Sequence, residues 1–366
     1  MTSTRVPTIR PPRRALVVTL RFLGDALLST ALVHSIKRRW PECAIDVLTF
    51  AGTEGAFEGN ADVAQVMAVS ERASAGETLR QVLALWRRYD LAVVAQTGTR
   101  PFLFGWAAGR QRVGLVSAAP GKAWWKRALL DGYAVFEERG ARVLENQRIA
   151  HLLGSDERPT VVPPSAGWGV VEVAAALDFD PTITPFAIVH PSPRWRYKQW
   201  TREGWHAVVR HLAARGLRVV ITGGPAPEER AYLDALLDGL DRGLCERVDG
   251  RWSLAQTADV LRHAVLYVGP DTATTHLAAA CGTPTTAIFG PTDPSIWGPW
   301  PAHDGEAYTR VAMRQRRGNV LLLQNPELTC VPCQLEGCER HRGSHSQCLD
   351  RLSAARVIDA AQTLLI

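Results

Sequence analysis

The apolar positions alternate between short continuous runs and helically spaced sets. Ala15–Leu20 (ALVVTL) is a continuous apolar run, the signature of a strand buried on both faces of a parallel sheet. Ala44–Phe50, Gln65–Val69, Leu91–Ala95 and Arg112–Val116 read as further strands. Helical patterns run from Ala26 to about Trp40, over Glu77–Arg88 (Leu79, Val82, Leu83, Leu85, Trp86 on one spacing) and over Arg142–Leu153. From Ser155 to Pro185 the chain turns Pro-rich around one helix, Trp168–Leu177. The alternation then restarts with strands at Phe186–His190 and Leu217–Thr222. Helices are expected from Thr201, from Pro227-Glu228 and over Leu254–His263. This pattern predicts an α/β protein of two doubly wound units. Their expected bounds are 1–180, with a linker over about 155–185, and 181–352. A terminal helix over 353–366 can return to the first unit.

One stretch, Leu266–Pro294, organises the second half. A buried strand (Val265–Val268) is expected to break at Gly269-Pro270. A small-residue helix follows from Thr272, with a turn at Gly282 and a strand at Thr285–Phe289. The polar cluster Asp271-Thr272-Ala273-Thr274-Thr275 falls at the strand's carboxyl end. There, free helix N–H groups and the dipole favour an anionic ligand. An N-cap would need one such residue rather than four. The ends of the second unit's strands gather Ser192, Lys198, Thr222, Glu228 and Asp271 on one edge. In the first unit the matching turn is Arg21-Phe22-Leu23-Gly24-Asp25, with Asp25 at a helix start. No G-x-G-x-x-G follows the first strand, so the dinucleotide fingerprint is absent.

Composition changes the picture in two places. With 46% hydrophobic and 21% charged residues the chain is ordinary globular material, and no apolar run reaches the ~18 residues of a membrane span. The basic, Pro-rich start has no apolar signal core, so a cytoplasmic location is expected. Charge, however, is lopsided: residues 1–150 hold 21 Lys+Arg against 13 Asp+Glu, and residues 151–366 hold 21 against 23. An anionic partner for the first unit follows. Gly121–Leu130 interleaves Lys122, Lys126 and Arg127 with Trp124 and Trp125, which suits an anionic membrane interface; the other reading is a loop whose tryptophans pack down. Arg21 joins these as an acceptor candidate. Seven cysteines are an odd number, and Cys330, Cys333, Cys338 and Cys348 form C-x2-C-x4-C-x9-C. The first spacing is that of a metal knuckle, with His341 and His345 as spare ligands. A structural zinc or iron–sulfur site stands against free thiols there.

Three motifs carry a family resemblance: L-R-F-L-G-D-A-L-L-S-T at 20–30, H-P-S-x5-K-x-W at 190–200, and G-P-D-T-x3-H-L-A-A-A-x-G-T-P with F-G-P-T-D-P at 269–294. In order and spacing they resemble glycosyltransferase family 9, the ADP-heptose:lipopolysaccharide heptosyltransferases. Trp297-Gly298-Pro299-Trp300 and the Asp25 turn are closest to the heptosyltransferase III branch, the cysteines to the II branch. The resemblance implies a GT-B fold, two Rossmann-like domains facing across a cleft. It also implies inverting transfer of heptose from ADP-heptose to an anionic, lipid-linked inner-core sugar, without a catalytic metal, by a protein peripheral to the inner face of the inner membrane.

By the same resemblance Asp25 is the catalytic base and Lys198 neutralises the donor pyrophosphate. Ser192 contacts phosphate, Glu228 the ribose, and Trp252 lies by the adenine. Asp271, Thr272 and Ala273 hold sugar and diphosphate, Ala273 standing where a glycine is common. Thr222 is counted with this donor set, and His276 is expected to be structural. The rival readings are a family-9 enzyme using another nucleotide sugar, a fold-related sugar-nucleotide epimerase, and a nucleic-acid-binding protein with a cysteine metal site. No recognition helix or finger spacing supports the last, so no nucleic-acid partner is expected.

Overall fold

A computed structural model describes residues 4–365, apart from the side chains of Pro120 and Lys122. The chain divides into two units, Met1–Pro164 and Ser165–Ile366. The first alternates β1 (Arg14–Thr19), α1 (Leu23–Arg39), β2 (Ala44–Phe50), β3 (Gln65–Val69), α2 (Ala75–Ala84), β4 (Tyr89–Val94), α3 (Thr99–Ala108), β5 (Gly109–Val116), α4 (Pro120–Leu129), β6 (Gly132–Val135) and α5 (Arg142–Leu152). Its six strands are parallel, in the order β3-β2-β1-β4-β5-β6. The apolar run of β1 is buried throughout because β1 lies mid-sheet with helices on both faces. α1 packs against α5 on one face, while α2, α3 and α4 cover the other. Strand order reverses between β1 and β4, which makes their carboxyl ends the expected ligand edge. Gln96 staples that edge, accepting from the Leu20 N–H (3.0 Å) and donating to the Leu20 carbonyl (2.7 Å).

The second unit holds α6 (Val170–Leu177), β7 (Phe186–Val189), α7 (Arg202–Ala214), β8 (Arg218–Ile221), α8 (Pro227–Leu237), β9 (Glu246–Arg247), α9 (Leu254–Leu261), β10 (Leu266–Pro270), α10 (Ala273–Ala280), β11 (Thr285–Phe289), α11 (Pro294–Trp297), β12 (Arg314–Arg317), β13 (Val320–Gln324), α12 (Gln347–Asp350) and α13 (Ala354–Leu364). Its seven strands run β12-β13-β11-β10-β7-β8-β9, with β12 antiparallel at the edge. Here the order reverses between β7 and β10. A fully buried cluster of Val189, Trp205, Leu212, Ile221, Val268 and Val357 joins α7, β7, β8, β10 and α13.

The units part at Pro164, inside the stretch read as a linker and before the 180/181 boundary expected from sequence. Asp259 of α9 explains why the chain from Ser165 onward belongs to the second unit. Its carboxylate accepts from Ser165 Oγ (2.7 Å) and from the backbone N–H groups of Ala166 (2.8 Å) and Trp168 (3.0 Å). α6 then buries Val173 and Leu177. The terminal helix α13 packs on α7, β11 and β13 of its own unit.

Three further differences have local causes. β10 does not break at Gly269-Pro270, because both still pair with β11 and Pro270 sits at the strand's last register position, opposite Ile288. α2 stops at Ala84 rather than Arg88, where Leu85 forms the C-cap and Arg87 takes a left-handed φ of 50°. Gly121–Leu130 is not a loop: Pro120–Leu129 form α4. Lys126 points inward at 6% exposure, donating to the Thr97 carbonyl (2.6 Å) and lying over the rings of Phe102 and Trp125. Burial lowers its pKa. Arg127 stacks on Tyr133 and donates to the Ser117 carbonyl. Trp125 packs edge-on against Phe102, and Trp124 alone of that pair faces solvent, 68% exposed. Among the described residues no helix is long and apolar enough to cross a membrane.

Candidate functional site

Each unit presents a polar site at its strand-order reversal. In the first unit, β1 ends at Thr19 and α1 begins at Leu23, so Gly24 and Asp25 both lie within the first helical turn. Asp25 is therefore not the N-cap; that position is Phe22, and no side chain caps it. Asp25 instead lines an open depression with Thr19, Arg21, Phe136, Arg142 and Glu145. Arg21, a candidate from sequence, is thus brought beside Asp25. Arg142 and Glu145, at the start of α5, were missed, because only packing of α5 against α1 puts them there.

Arg142 stacks on Phe136 (4.9 Å to the ring centre) and donates to the carbonyls of Gly140 and Glu138. Burial lowers its pKa, and so does Arg21, while Asp25 and Glu145 oppose both. Glu145 is buried and accepts from the Glu137 N–H (2.9 Å); burial raises its pKa, against the pull of that hydrogen bond and of Arg148. Two guanidiniums beside two carboxylates make a pocket able to hold an anionic sugar next to one ionisable oxygen pair. Trp124 to Arg127 do not line it. The side chain of Lys122 lies outside the described residues.

In the second unit, β10 delivers Asp271 and Thr272 to the start of α10. Thr272 is the N-cap, its hydroxyl accepting from the Thr275 N–H (3.4 Å), and Ala273 is the first helical residue. Capping therefore uses only one of the four polar residues. Asp271 is buried and takes a 2.6 Å charge-assisted hydrogen bond from Lys198 Nζ, which comes from the loop after β7. Burial would raise the Asp271 pKa; Lys198, His276 and a Thr292 hydrogen bond outweigh it and lower it on balance. The ammonium is thus delivered to the amino end of α10 already facing the position of an anion.

Ser192 lies in the same loop, 2% exposed, with no hydrogen-bond partner for its hydroxyl among the described residues. Buried hydroxyls are normally satisfied, so this one is spare for a ligand. Thr222 is committed differently: its hydroxyl shares a 3.0 Å hydrogen bond with His190 Nδ1, and His190 Nε2 reaches Thr274 Oγ1 at 3.4 Å. Glu228 is exposed in the first turn of α8, whereas its neighbour Glu229 accepts from the Gly224 N–H (2.7 Å). Trp252 is half-buried, just before the Ser253 cap of α9. His276 is buried, and its Nδ1 has no hydrogen-bond partner among the described residues. Burial pulls its pKa down to about 4, against Asp271, which raises it.

Cys330, Cys333, Cys338 and Cys348 are free thiols. Cys348 is buried and its thiol is pushed up to about 12, by burial first and then by Cys333, Cys338 and Cys330. Among the described residues no three His, Cys, Asp or Glu side chains converge so as to hold a metal ion.

Known proteins resemble the chain along most of its length. The lipopolysaccharide heptosyltransferase 3 of Escherichia coli is 27% identical over 291 residues, 77% of this chain and 84% of that one. The structure of E. coli ADP-heptose lps heptosyltransferase II superposes with a TM-score of 0.73 at 18% identity, covering 96% of this chain and 98% of that one. That of E. coli heptosyltransferase WaaC with ADP-2-deoxy-2-fluoro heptose does so at 0.68 and 20%, covering 96% and 99%. The shared fold is GT-B, two Rossmann-like units in one chain. Residues 79–317, more than half of the chain, match glycosyltransferase family 9 (heptosyltransferase), and the chain belongs to that family.

Proposed function

We propose that this protein is an inverting glycosyltransferase that moves heptose from ADP-heptose to an inner-core sugar of lipopolysaccharide. The observation that carries the donor half is the group at the β7/β10 reversal. Lys198 and Asp271 are paired there at 2.6 Å, the Ser192 hydroxyl is buried and spare, and the amino end of α10 opens beside them. A pyrophosphate would draw Lys198 and the α10 N–H groups, leaving Asp271 to accept from sugar hydroxyls. Lys198 and the helix dipole supply the charge neutralisation that a divalent ion would otherwise provide. The relative solved with a fluorinated ADP-heptose supports the choice of donor.

In the reaction, the acceptor hydroxyl attacks the anomeric carbon and passes its proton to Asp25. The bond from that carbon to the ADP oxygen breaks on the opposite face, so the configuration inverts. ADP is a good leaving group and needs no general acid. Since the acceptor is lipid-linked, the enzyme works as a peripheral protein at the inner face of the inner membrane. No step passes through the cysteines; a structural metal there is a proposal resting on their spacing alone, and metal analysis of anaerobically purified protein tests it. The nucleic-acid reading has nothing to support it.

A thermal-shift screen tests the donor. ADP-heptose is expected to raise the melting temperature more than ADP-glucose or UDP- and GDP-sugars. Lys198→Ala should weaken ADP-heptose by about 1.5–3 kcal/mol, as for a lost hydrogen bond to a charged group. A stronger response to another nucleotide sugar would reassign the donor.

A further inference from the structure

Apolar exposure in the first unit is not scattered. Of the eight large apolar side chains it exposes among the described residues, six belong to the α2–α3–α4 layer or to the turn that closes α2. Leu79 and Leu83, each 57% exposed, stand one turn apart on α2, and Trp86, 48% exposed, follows its C-cap. Leu103 of α3, with Trp124 and Leu129 of α4, continues the same layer. The opposite layer, α1 with α5, contributes only Phe22, the N-cap of α1.

A soluble surface seldom collects this much apolar area on one side unless something covers it. The surrounding charge says what. Arg80, Arg87, Arg88 and Arg110 are all exposed, and Arg87 and Arg88 lead into β4, whose Tyr89 pairs with Gly109 beside Arg110. Trp86 packs edge-on against Trp106 (5.4 Å), with Arg87 over the first ring and Arg112 over the second. Leucines and tryptophans flanked by arginines are the composition of a surface that lies in the headgroup region of an anionic bilayer. Of the α4 cations whose side chains are described, Lys126 is buried and Arg127 is tied to the Ser117 carbonyl.

We propose that the outer surface of the α2–α3–α4 layer, led by Leu79, Leu83, Trp86 and Trp124, is the face that docks on an anionic bilayer, with Arg80, Arg87, Arg88 and Arg110 at the headgroups. This rests on the peripheral-membrane reading above and specifies the surface that performs it. Docking there is carried by shallow apolar insertion and steered by charge.

Co-sedimentation with vesicles tests it, comparing phosphatidylcholine alone with an equimolar mixture of phosphatidylcholine and phosphatidylglycerol. The protein should bind the anionic vesicles. Leu79→Ser with Leu83→Ser should cut binding about tenfold or more, in high salt as well as low. Arg80→Gln, Arg87→Gln and Arg88→Gln together should cut it by about fivefold per cation at low salt, with the deficit shrinking in high salt. Val171→Ser with Ile183→Ser, exposed in the second unit, is the control and should leave binding unchanged. Unchanged melting temperatures show that each variant folds. If the wild-type protein ignores anionic vesicles, the membrane reading and this surface both fail. If it binds but both α2 variants bind equally well, only the surface is wrong. Vesicle binding that survives in the variants while oligomer mass falls would assign the face to a second copy of the chain and overturn the lipid assignment.

Discussion

At the scale of single residues, Asp25 matters by position. It lies in the first turn of α1. It shares its pocket with Arg21 and Arg142, which suit an anionic acceptor. General-base help contributes about 10²–10⁴-fold, so Asp25→Asn should fold, bind ADP-heptose as the wild type does, and lose at least about 10²-fold in kcat. Product analysis should show the anomeric configuration opposite to the donor's. Near-normal turnover by the variant, or retention at that carbon, would place the base elsewhere. Asp25 was legible as the one acid in the turn after the first strand, and its role as base came from the family resemblance. Arg142 was not, since its place beside Asp25 depends on how α5 lies against α1.

At the scale of elements, α10 is the part on which the proposed donor site depends, and its start is capped by the Thr272 hydroxyl. Thr272 accepts from the Thr275 N–H, and the Thr275 hydroxyl in turn reaches the Pro270 carbonyl and Tyr267. Loss of an N-cap costs about 1 kcal/mol. Thr272→Ala should therefore destabilise the protein by about that much in denaturant melts and weaken ADP-heptose binding, and Thr272→Ser should restore both. A variant as stable as the wild type would mean that the helix start is held by other contacts. α4 teaches the opposite lesson about elements. Its alternating cations and tryptophans suggested a basic surface, yet helical geometry turned Lys126 and Trp125 inward onto Phe102.

At the scale of the whole molecule, pH stability follows from two buried imidazoles. His190 and His276 both have pKa values pulled down to about 4, burial being the main cause in each. An unfolded histidine titrates near 6.5. Between those values the unfolded chain binds more protons, so stability is complete above about pH 6.5 and is lost as pH falls toward 4. Each group could remove up to about 3 kcal/mol by the end of that window. Melting temperature should therefore drop steeply from pH 6.5 to about 4, and His276→Asn should flatten the drop by the share of one proton. A pH profile identical to the wild type's would show that His276 is protonated freely in the folded state.

Local pattern alone determined much of this protein. β2, β3 and β11 follow directly from their apolar runs, and the polar cluster at Asp271 follows from a strand meeting a small-residue helix. These features depend mainly on neighbours in sequence, so the chain states them outright. Elements whose stability comes from elsewhere were not legible. α3 carries a proline and a glycine in ten residues, yet buries Phe102 and Phe104 under the sheet. β12 (RQRR) is highly charged and exists because β13 gives it an edge to pair with. The same holds for the sites. Residue types and spacing named Asp25, Ser192, Lys198 and Asp271. Only tertiary packing decided that Asp271 would be paired with Lys198 and that Glu229 rather than Glu228 would hold the Gly224 loop. Spacing along a chain constrains neighbours by a few ångströms, whereas side-chain direction is set by whichever faces the rest of the fold leaves free.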